Sequence, residues 1–284
     1  MTVGFIGLGK MGGPMAANVI AAAPGLVCFD VAGTQQRMPV GAIAAGSIAD
    51  VATRCTTVLI SVPDGAASAA VAREIAATPS SQVQTLFDLS TIGPKAAMQA
   101  AAILETAGVV YCDGPVSGGA AGARAATISL MFAGPSETLE AHRTLLESFT
   151  GNIFHVGDRA GLGQAMKLAN NFLSATALAA TSEAIAFGVA HGLDMSTMID
   201  VLNVSTGRNS ATTDKFPNRV LTGTYDAGFS TAHMTKDVGL FVDGASDVGT
   251  QSNVAAAVTD VWRACDAALP GSDFTEIWRY TANE

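Results

Sequence analysis

Apolar positions in the first half of the chain fall in short runs separated by small and polar residues, not in long helical stripes. The segments 3–6, 26–30, 57–62, 84–89, 109–113, 128–132 and 152–156 read as β-strands. Several carry few polar residues, the pattern of strands covered on both faces. Helical stretches lie between them, two with a proline near the first helical position, Pro14 and Pro94. Such β-α alternation predicts a mostly parallel sheet with helices on both faces.

The pattern changes after Gly157. Segment 163–191 predicts one long helix ended by Gly192, and further helices follow at 196–203, 231–246, 252–267 and 273–280. The chain therefore divides near 158–164 into an α/β domain, residues 1–160, and an all-α domain, residues 161–284, joined by the long helix.

Composition narrows the class. With 49% hydrophobic and 14% charged residues the chain is rich enough in apolar side chains to bury a core, the opposite of a disordered sequence. A net charge of −9 opposes a nucleic-acid phosphate backbone, so no nucleic-acid partner is expected. The most apolar stretch, 172–189, is interrupted by Ser174, Thr176, Thr181, Ser182 and Glu183. A buried helix fits it better than a membrane span, which needs ~20 nearly unbroken apolar residues. The first strand runs directly into a glycine loop with no basic segment before it, which does not read as a signal peptide. Cys28, Cys55, Cys112 and Cys265 are scattered and form no C-x-x-C pair, so reduced thiols in the cytoplasm are expected. His142, His155, His191 and His233 show no metal spacing, and no metal is expected. Trp262 and Trp278 read as core or subunit-contact residues.

Gly7-Leu8-Gly9-Lys10-Met11-Gly12 matches G-x-G-x-x-G. Its context gives the motif its weight: it follows the first strand, opens a helix, and precedes a second strand that ends in Asp30. Gly7 permits a tight turn, Gly9 lets backbone approach a pyrophosphate, and Gly12 lets helix and strand pack closely. The helix N-terminus offers free N–H groups and partial positive charge to the diphosphate. Asp30 suits the ribose hydroxyls of NAD and opposes a 2′-phosphate, with Arg37 the only nearby cation to offset it.

Further motifs follow in order. They are Asp113-Gly114-Pro115-Val116-Ser117-Gly118-Gly119, then Gly161-Leu162-Gly163-Gln164-Ala165-Met166-Lys167-Leu168-Ala169-Asn170-Asn171, then Lys236-Asp237. With the glycine loop, they make the whole chain resemble the β-hydroxyacid dehydrogenase family, and within it the 3-hydroxyisobutyrate dehydrogenases. The resemblance implies a Rossmann-type domain followed by an all-α domain, with a cleft between them and homodimers or homotetramers formed through the helices. It implies that Ser117, Gly118 and Gly119 bind the substrate, Lys167 is catalytic, and Lys236 closes on the cofactor. Val62, Pro63 and Thr91 are then expected on the nicotinamide side.

The residue types suit these roles. Oxidising an alcohol needs a base for the hydroxyl proton while hydride leaves carbon. A free lysine, with a pKa of ~10.4, is protonated near neutrality; burial beside a cationic nicotinamide would lower it towards the working pH. Asn171, at i+4 from Lys167, shares its helical face and can fix the substrate hydroxyl. Glycines at 118 and 119 let N–H groups converge on a carboxylate, and Ser117 adds a hydroxyl. Arg124, just beyond that loop, reads equally as a carboxylate contact or an exposed arginine.

The expected activity is NAD-dependent oxidation of a small 3-hydroxy acid such as 3-hydroxyisobutyrate. The Gly-Gly after Ser117 and the stretch 121–132 lean that way. Reduction of tartronate semialdehyde, glyoxylate or succinic semialdehyde on the same fold stays open, as does a non-catalytic NAD-binding module. Imine reductases lack the lysine, and the phosphate-binding cations of 6-phosphogluconate dehydrogenases are not apparent among 15 lysines and arginines.

Overall fold

A computed structural model describes residues 2–283. The strands are β1 (Val3–Ile6), β2 (Val27–Phe29), β3 (Ile43–Ala44), β4 (Thr57–Ile60), β5 (Thr85–Asp88), β6 (Val110–Asp113), β7 (Val116–Ser117), β8 (Ile128–Ala133) and β9 (Thr150–Gly157). Helices α1 (Gly12–Ala22), α2 (Thr34–Arg37), α3 (Ile48–Arg54), α4 (Gly65–Ala77), α5 (Pro94–Glu105), α6 (Gly119–Ala125) and α7 (Ser136–Glu147) lie between them. Then come α8 (Leu162–Ala190), α9 (Met195–Asn203), α10 (Thr231–Asp247), α11 (Asn253–Ala268) and α12 (Ile277–Ala282). Two compact units result, Met1–Lys167 and Leu168–Glu284.

The first unit is a nine-stranded sheet ordered β3-β2-β1-β4-β5-β6-β8-β7, with β9 also paired to β8. Strands β1 to β6 are all parallel, as the alternating pattern predicts. Beyond β6 the sheet is mixed: β8 runs antiparallel to β6 and β7 and parallel to β9. β3 and β7, two residues each, are too short to show an apolar period, so sequence reading passes over them.

Side chains alternate across the parallel strands, and both faces are dry. Phe5, Leu59 and Phe87 point into one cluster with Met15, Val19, Leu26 and Phe132. Ile6, Val58, Ile60 and Leu86 point into the other with Val71, Ile75 and Leu104. Burial on both faces is why these strands read as continuous apolar runs.

In the second unit Trp262 is wholly buried, its indole N–H donating to Ala175 O at 3.3 Å, and it stacks at 6.3 Å on Phe274. Phe216 meets Trp278 edge-on at 5.8 Å, so both tryptophans are core residues of this unit. Phe216 lies in a wide π-helical segment, Ala211–Val220, which the sequence pattern did not announce. Pro217 inside it removes a backbone donor that an α-helix requires. The predicted helix at 273–280 splits into a 3-10 turn, Phe274–Glu276, and α12, started by a reciprocal Asp273–Glu276 capping box.

The long helix α8 has the predicted extent and ends at Gly192 (φ +89°), where Leu193 N donates to Gly188 O. The helix is long and apolar enough to cross a membrane by length and composition. It is buried along one face, where Leu168, Ala175, Leu178, Ala179 and Ile185 are covered, and open along the other. Exposed residues Met166, Leu173, Ala180 and Phe187 recur every seven positions, which places one apolar stripe along its surface.

The start of α8 is pinned to the sheet. Asp113, at the end of β6, accepts from Gly161 N through Oδ1 and from Gln164 N through Oδ2, both at 2.8 Å. A Cβ on Gly163 would collide with Met131 O and the Asp113 carboxylate, so only glycine permits this approach. Burial pushes the Asp113 carboxyl up to about 6 in spite of those donors. A raised carboxyl pKa means the folded state holds the proton more tightly than the unfolded chain. That stabilisation is complete below the unfolded value of about 3.9 and is lost as pH rises through about 6, a change of about 3 kcal/mol at most. Comparing Asp113→Asn with the parent by denaturant unfolding from pH 4 to 7 isolates it. The parent should lose stability relative to the variant across that range; a pH-independent difference contradicts the assignment.

Candidate active site

The carboxyl ends of the parallel strands gather most of the expected site residues of the first unit. The strand order reverses direction between β1 and β4, the switch point at which α/β sheets take ligands. Gly7, directly after β1, has φ +90°, and a Cβ there would overlap Ser61 O at the end of β4. Gly12 packs equally tightly over Gly7 O. Around Gly9, by contrast, a Cβ would meet nothing within 4 Å. That open space at the start of α1 is what a pyrophosphate approaching backbone N–H groups requires, so the loop fits a dinucleotide. Lys10 is exposed and Met11 half-buried beside it.

Asp30 stands beside this loop, as its spacing implied. Its Oδ2 accepts from Leu8 N at 2.6 Å and its Oδ1 from Ala32 N at 2.8 Å. Each oxygen keeps a further lone pair for a ribose hydroxyl. Arg37 Nε lies 3.9 Å from Oδ1, so this cation faces the carboxylate.

Val62 and Pro63 follow β4, and Thr91 follows β5. The two loops are bonded to each other, because Val62 N donates to Ser90 Oγ at 2.9 Å. Beneath them lies a buried polar network. Asp88 accepts from Ser90 N at 3.0 Å, from Ser68 Oγ at 2.5 Å and from Tyr111 OH at 3.2 Å. Burial drives the Asp88 carboxyl above its ordinary value, while the hydrogen bonds of Ser68, Ser90 and Tyr111 pull it back. Burial, with the nearby Asp88 and Asp113, raises the Tyr111 phenol well above its own.

Ser117 ends β7, opposite Ser129 of β8, and is half-buried with no hydrogen bond from its hydroxyl among the described residues. Gly118 and Gly119 both take positive φ, +130° and +65°, turning the backbone into α6. Lys167 lies on α8 and is 8% exposed, far from the solvated state usual for lysine.

The second unit carries Asn171 and Lys236. Asn171 Nδ2 donates to Asp237 Oδ2 at 2.6 Å, and Asn171 Oδ1 accepts from Asn170 at 3.1 Å. Lys236 Nζ is 3.4 Å from Asp237 Oδ1, close enough for an ion pair but not aligned as a hydrogen bond. Asp237 was visible only as the neighbour of Lys236; that it holds Asn171 had no local signal. Gln164 stands inside the Gly161–Asn171 motif, and Asp88 and Ser90 just before Thr91, yet no local signal gave them a role. The described residues hold no cluster of histidine, cysteine and acidic side chains able to bind a metal.

Two family models cover most of the sequence. Residues 2–157 match the NAD binding domain of 6-phosphogluconate dehydrogenase, and residues 161–281 match NAD-binding of NADP-dependent 3-hydroxyisobutyrate dehydrogenase. The 3-hydroxyisobutyrate dehydrogenase of Pseudomonas aeruginosa is 34% identical across 97% of this chain and 96% of its own. The mitochondrial 3-hydroxyisobutyrate dehydrogenase of Rattus norvegicus is 33% identical across 99% and 87%. The solved 3-hydroxyisobutyrate dehydrogenase of Mycobacterium tuberculosis, described with L-serine, superposes with a TM-score of 0.89 at 30% identity, covering 98% of each chain. With both halves matched nearly end to end and the motifs in order, the chain belongs to the β-hydroxyacid dehydrogenase family and is an NAD-dependent hydroxyacid dehydrogenase.

Proposed function

We propose that the enzyme oxidises a small 3-hydroxy carboxylate, 3-hydroxyisobutyrate or a near relative, to its semialdehyde, with Lys167 as general acid/base. The observation that carries the reading is a lysine only 8% exposed on α8, one helical turn before a buried asparagine whose amide is already oriented. Residues 1–160 act as the NAD-binding domain and 161–284 as the helical substrate and subunit-contact domain.

Cofactor binding falls to Gly7, Leu8, Gly9, Lys10, Met11 and Gly12 at the diphosphate, Asp30 at the ribose, and Val62, Pro63 and Thr91 at the ring. Lys236 closes on it from the helical domain. When bound, NAD supplies the acceptor for hydride. The substrate carboxylate sits against Ser117, Gly118 and Gly119, whose hydroxyl and N–H groups match an anion. Asn171 spends one amide hydrogen on Asp237 and keeps the other for the substrate oxygen. Lys167 takes the hydroxyl proton as the carbonyl forms, and returns it in the reverse direction. L-serine, named with the M. tuberculosis relative, is itself a small 3-hydroxy carboxylate. The cytoplasm suits the buried, unpaired Cys28, Cys55, Cys112 and Cys265.

A substrate panel tests this reading. 3-Hydroxyisobutyrate, glycerate and L-serine would be offered with NAD, and tartronate semialdehyde, glyoxylate and succinic semialdehyde with NADH. The highest kcat/KM should fall on a 3-hydroxy acid. Lys167→Ala should lose roughly 10²–10⁴ in kcat, the scale for a general base, with NADH affinity retained. A folded variant with parental kcat removes Lys167 from the chemistry.

Asp30 sets the cofactor preference. The parent should favour NAD over NADP, and Asp30→Ala should weaken NAD binding and narrow that gap by removing both a ribose acceptor and an opposing charge. Titration of both cofactors against parent and variant decides it, and a parent that prefers NADP overturns it.

The exposed stripe of α8 supports a homodimer, or a homotetramer built from such dimers. Leu173 and Phe187 are 66% and 67% exposed, and heptad spacing matches a second copy of the same helix. Light scattering should show an oligomer that Leu173→Glu combined with Phe187→Glu splits to monomers. A monomeric parent would count against the interface.

A further inference from the structure

Gln164 is wholly buried in the first turn of α8. Its amide makes three hydrogen bonds to one stretch of backbone. Oε1 accepts from Ile92 N at 2.9 Å and Gly93 N at 3.1 Å, and Nε2 donates to Ser90 O at 2.9 Å. Its own N–H is held by Asp113 Oδ2 at 2.8 Å. The gripped loop carries Thr91, and Ser90 Oγ accepts from Val62 N, so the tie extends to the loop after β4. One side chain therefore joins both loops assigned to the nicotinamide side to the helix that bears Lys167 three residues on.

We propose that Gln164 is a positioning residue for hydride transfer, fixing the Lys167 turn of α8 against the loop at 90–93. The inference rests on the reading of Lys167 as the acid/base group. An amide is the side chain that meets two N–H donors and one carbonyl together. Leucine would leave all three groups buried and unsatisfied, and asparagine is one methylene too short to reach. Residues at i and i+3 are neighbours on a helix surface, so a shift at Gln164 carries directly to Lys167. Proton and hydride transfer are sensitive to such shifts: a displacement of about 1 Å can cost on the order of 10²-fold in rate.

A double-mutant cycle on the full-length enzyme tests the proposal, using Gln164→Leu, Lys167→Ala and the pair, with single-turnover NADH formation as readout. Gln164→Leu should slow that step by roughly 10–100-fold. NADH affinity should stay within about threefold, because the diphosphate sits on the separate glycine loop. Placed on Lys167→Ala, the same change should cost little more, since no lysine remains to be misplaced. A purely structural role would instead give the same loss in both backgrounds.

Gln164→Glu keeps the shape of the clamp and guards against a leucine variant that fails to fold. Its second carboxyl oxygen can donate to Ser90 O only when protonated, so its rate relative to the parent should rise as pH falls. A Gln164→Leu rate within twofold of the parent, equal losses in both backgrounds, or a pH-independent Gln164→Glu ratio each overturns the inference. If Lys167→Ala keeps parental turnover, the acid/base reading itself fails and the positioning role falls with it. An inactive Lys167→Ala beside an unaffected Gln164→Leu overturns the positioning role alone.

Discussion

The grip of Asp113 on the first turn of α8 is the interaction on which the rest of the site depends. A helix start leaves N–H groups without partners, and here a buried carboxylate from the end of β6 takes two of them. The cost is a carboxyl held in a poor solvent, seen in its upward shift to about 6. In return, the first turn of α8 is held at the end of β6, within the unit that bears the glycine loop and the loops after β4 and β5. Gly163 makes the approach possible, and Gln164 extends it by one side chain.

Around that anchor the site separates tasks by residue chemistry. In the proposed reading, backbone N–H groups and glycines meet the anionic parts of the ligands, where a side chain would only occupy space. Single charged or amide side chains, Asp30, Lys167 and Asn171, are proposed for the positions where a defined donor or acceptor is needed. Asp30 and Asn171 are each oriented by a partner within the chain, Leu8 for Asp30 and Asp237 for Asn171. Buried polar groups are costly unless fully paired, so the Asp88 network below the loops also resists their displacement.

The helical unit follows a different logic. Its core is built on large aromatic side chains, with Trp262, Phe216 and Trp278 buried where its helices meet. The π-helical segment around Pro217 shows packing overruling local preference, with Phe216 buried despite an irregular backbone. This packing leaves the apolar stripe of Met166, Leu173, Ala180 and Phe187 outside on α8.

Read alone, the sequence determined whatever depends on local geometry. The strand–glycine–helix order, Asp30 at its offset, the change from short apolar runs to helices after Gly157, and the one-turn spacing of Lys167 and Asn171 are all consequences of backbone dihedrals and helical repeat. Tertiary structure alone decided the pairings between distant residues. Asp113 meets Gln164 across 51 positions, Gln164 meets Ile92 across 72, and Asn171 meets Asp237 across 66. The reversal of β8 and the exposed stripe of α8 belong here too. No local period encodes them, because they depend on which strand ends lie side by side and on which surface is left uncovered once the sheet and the helices have packed.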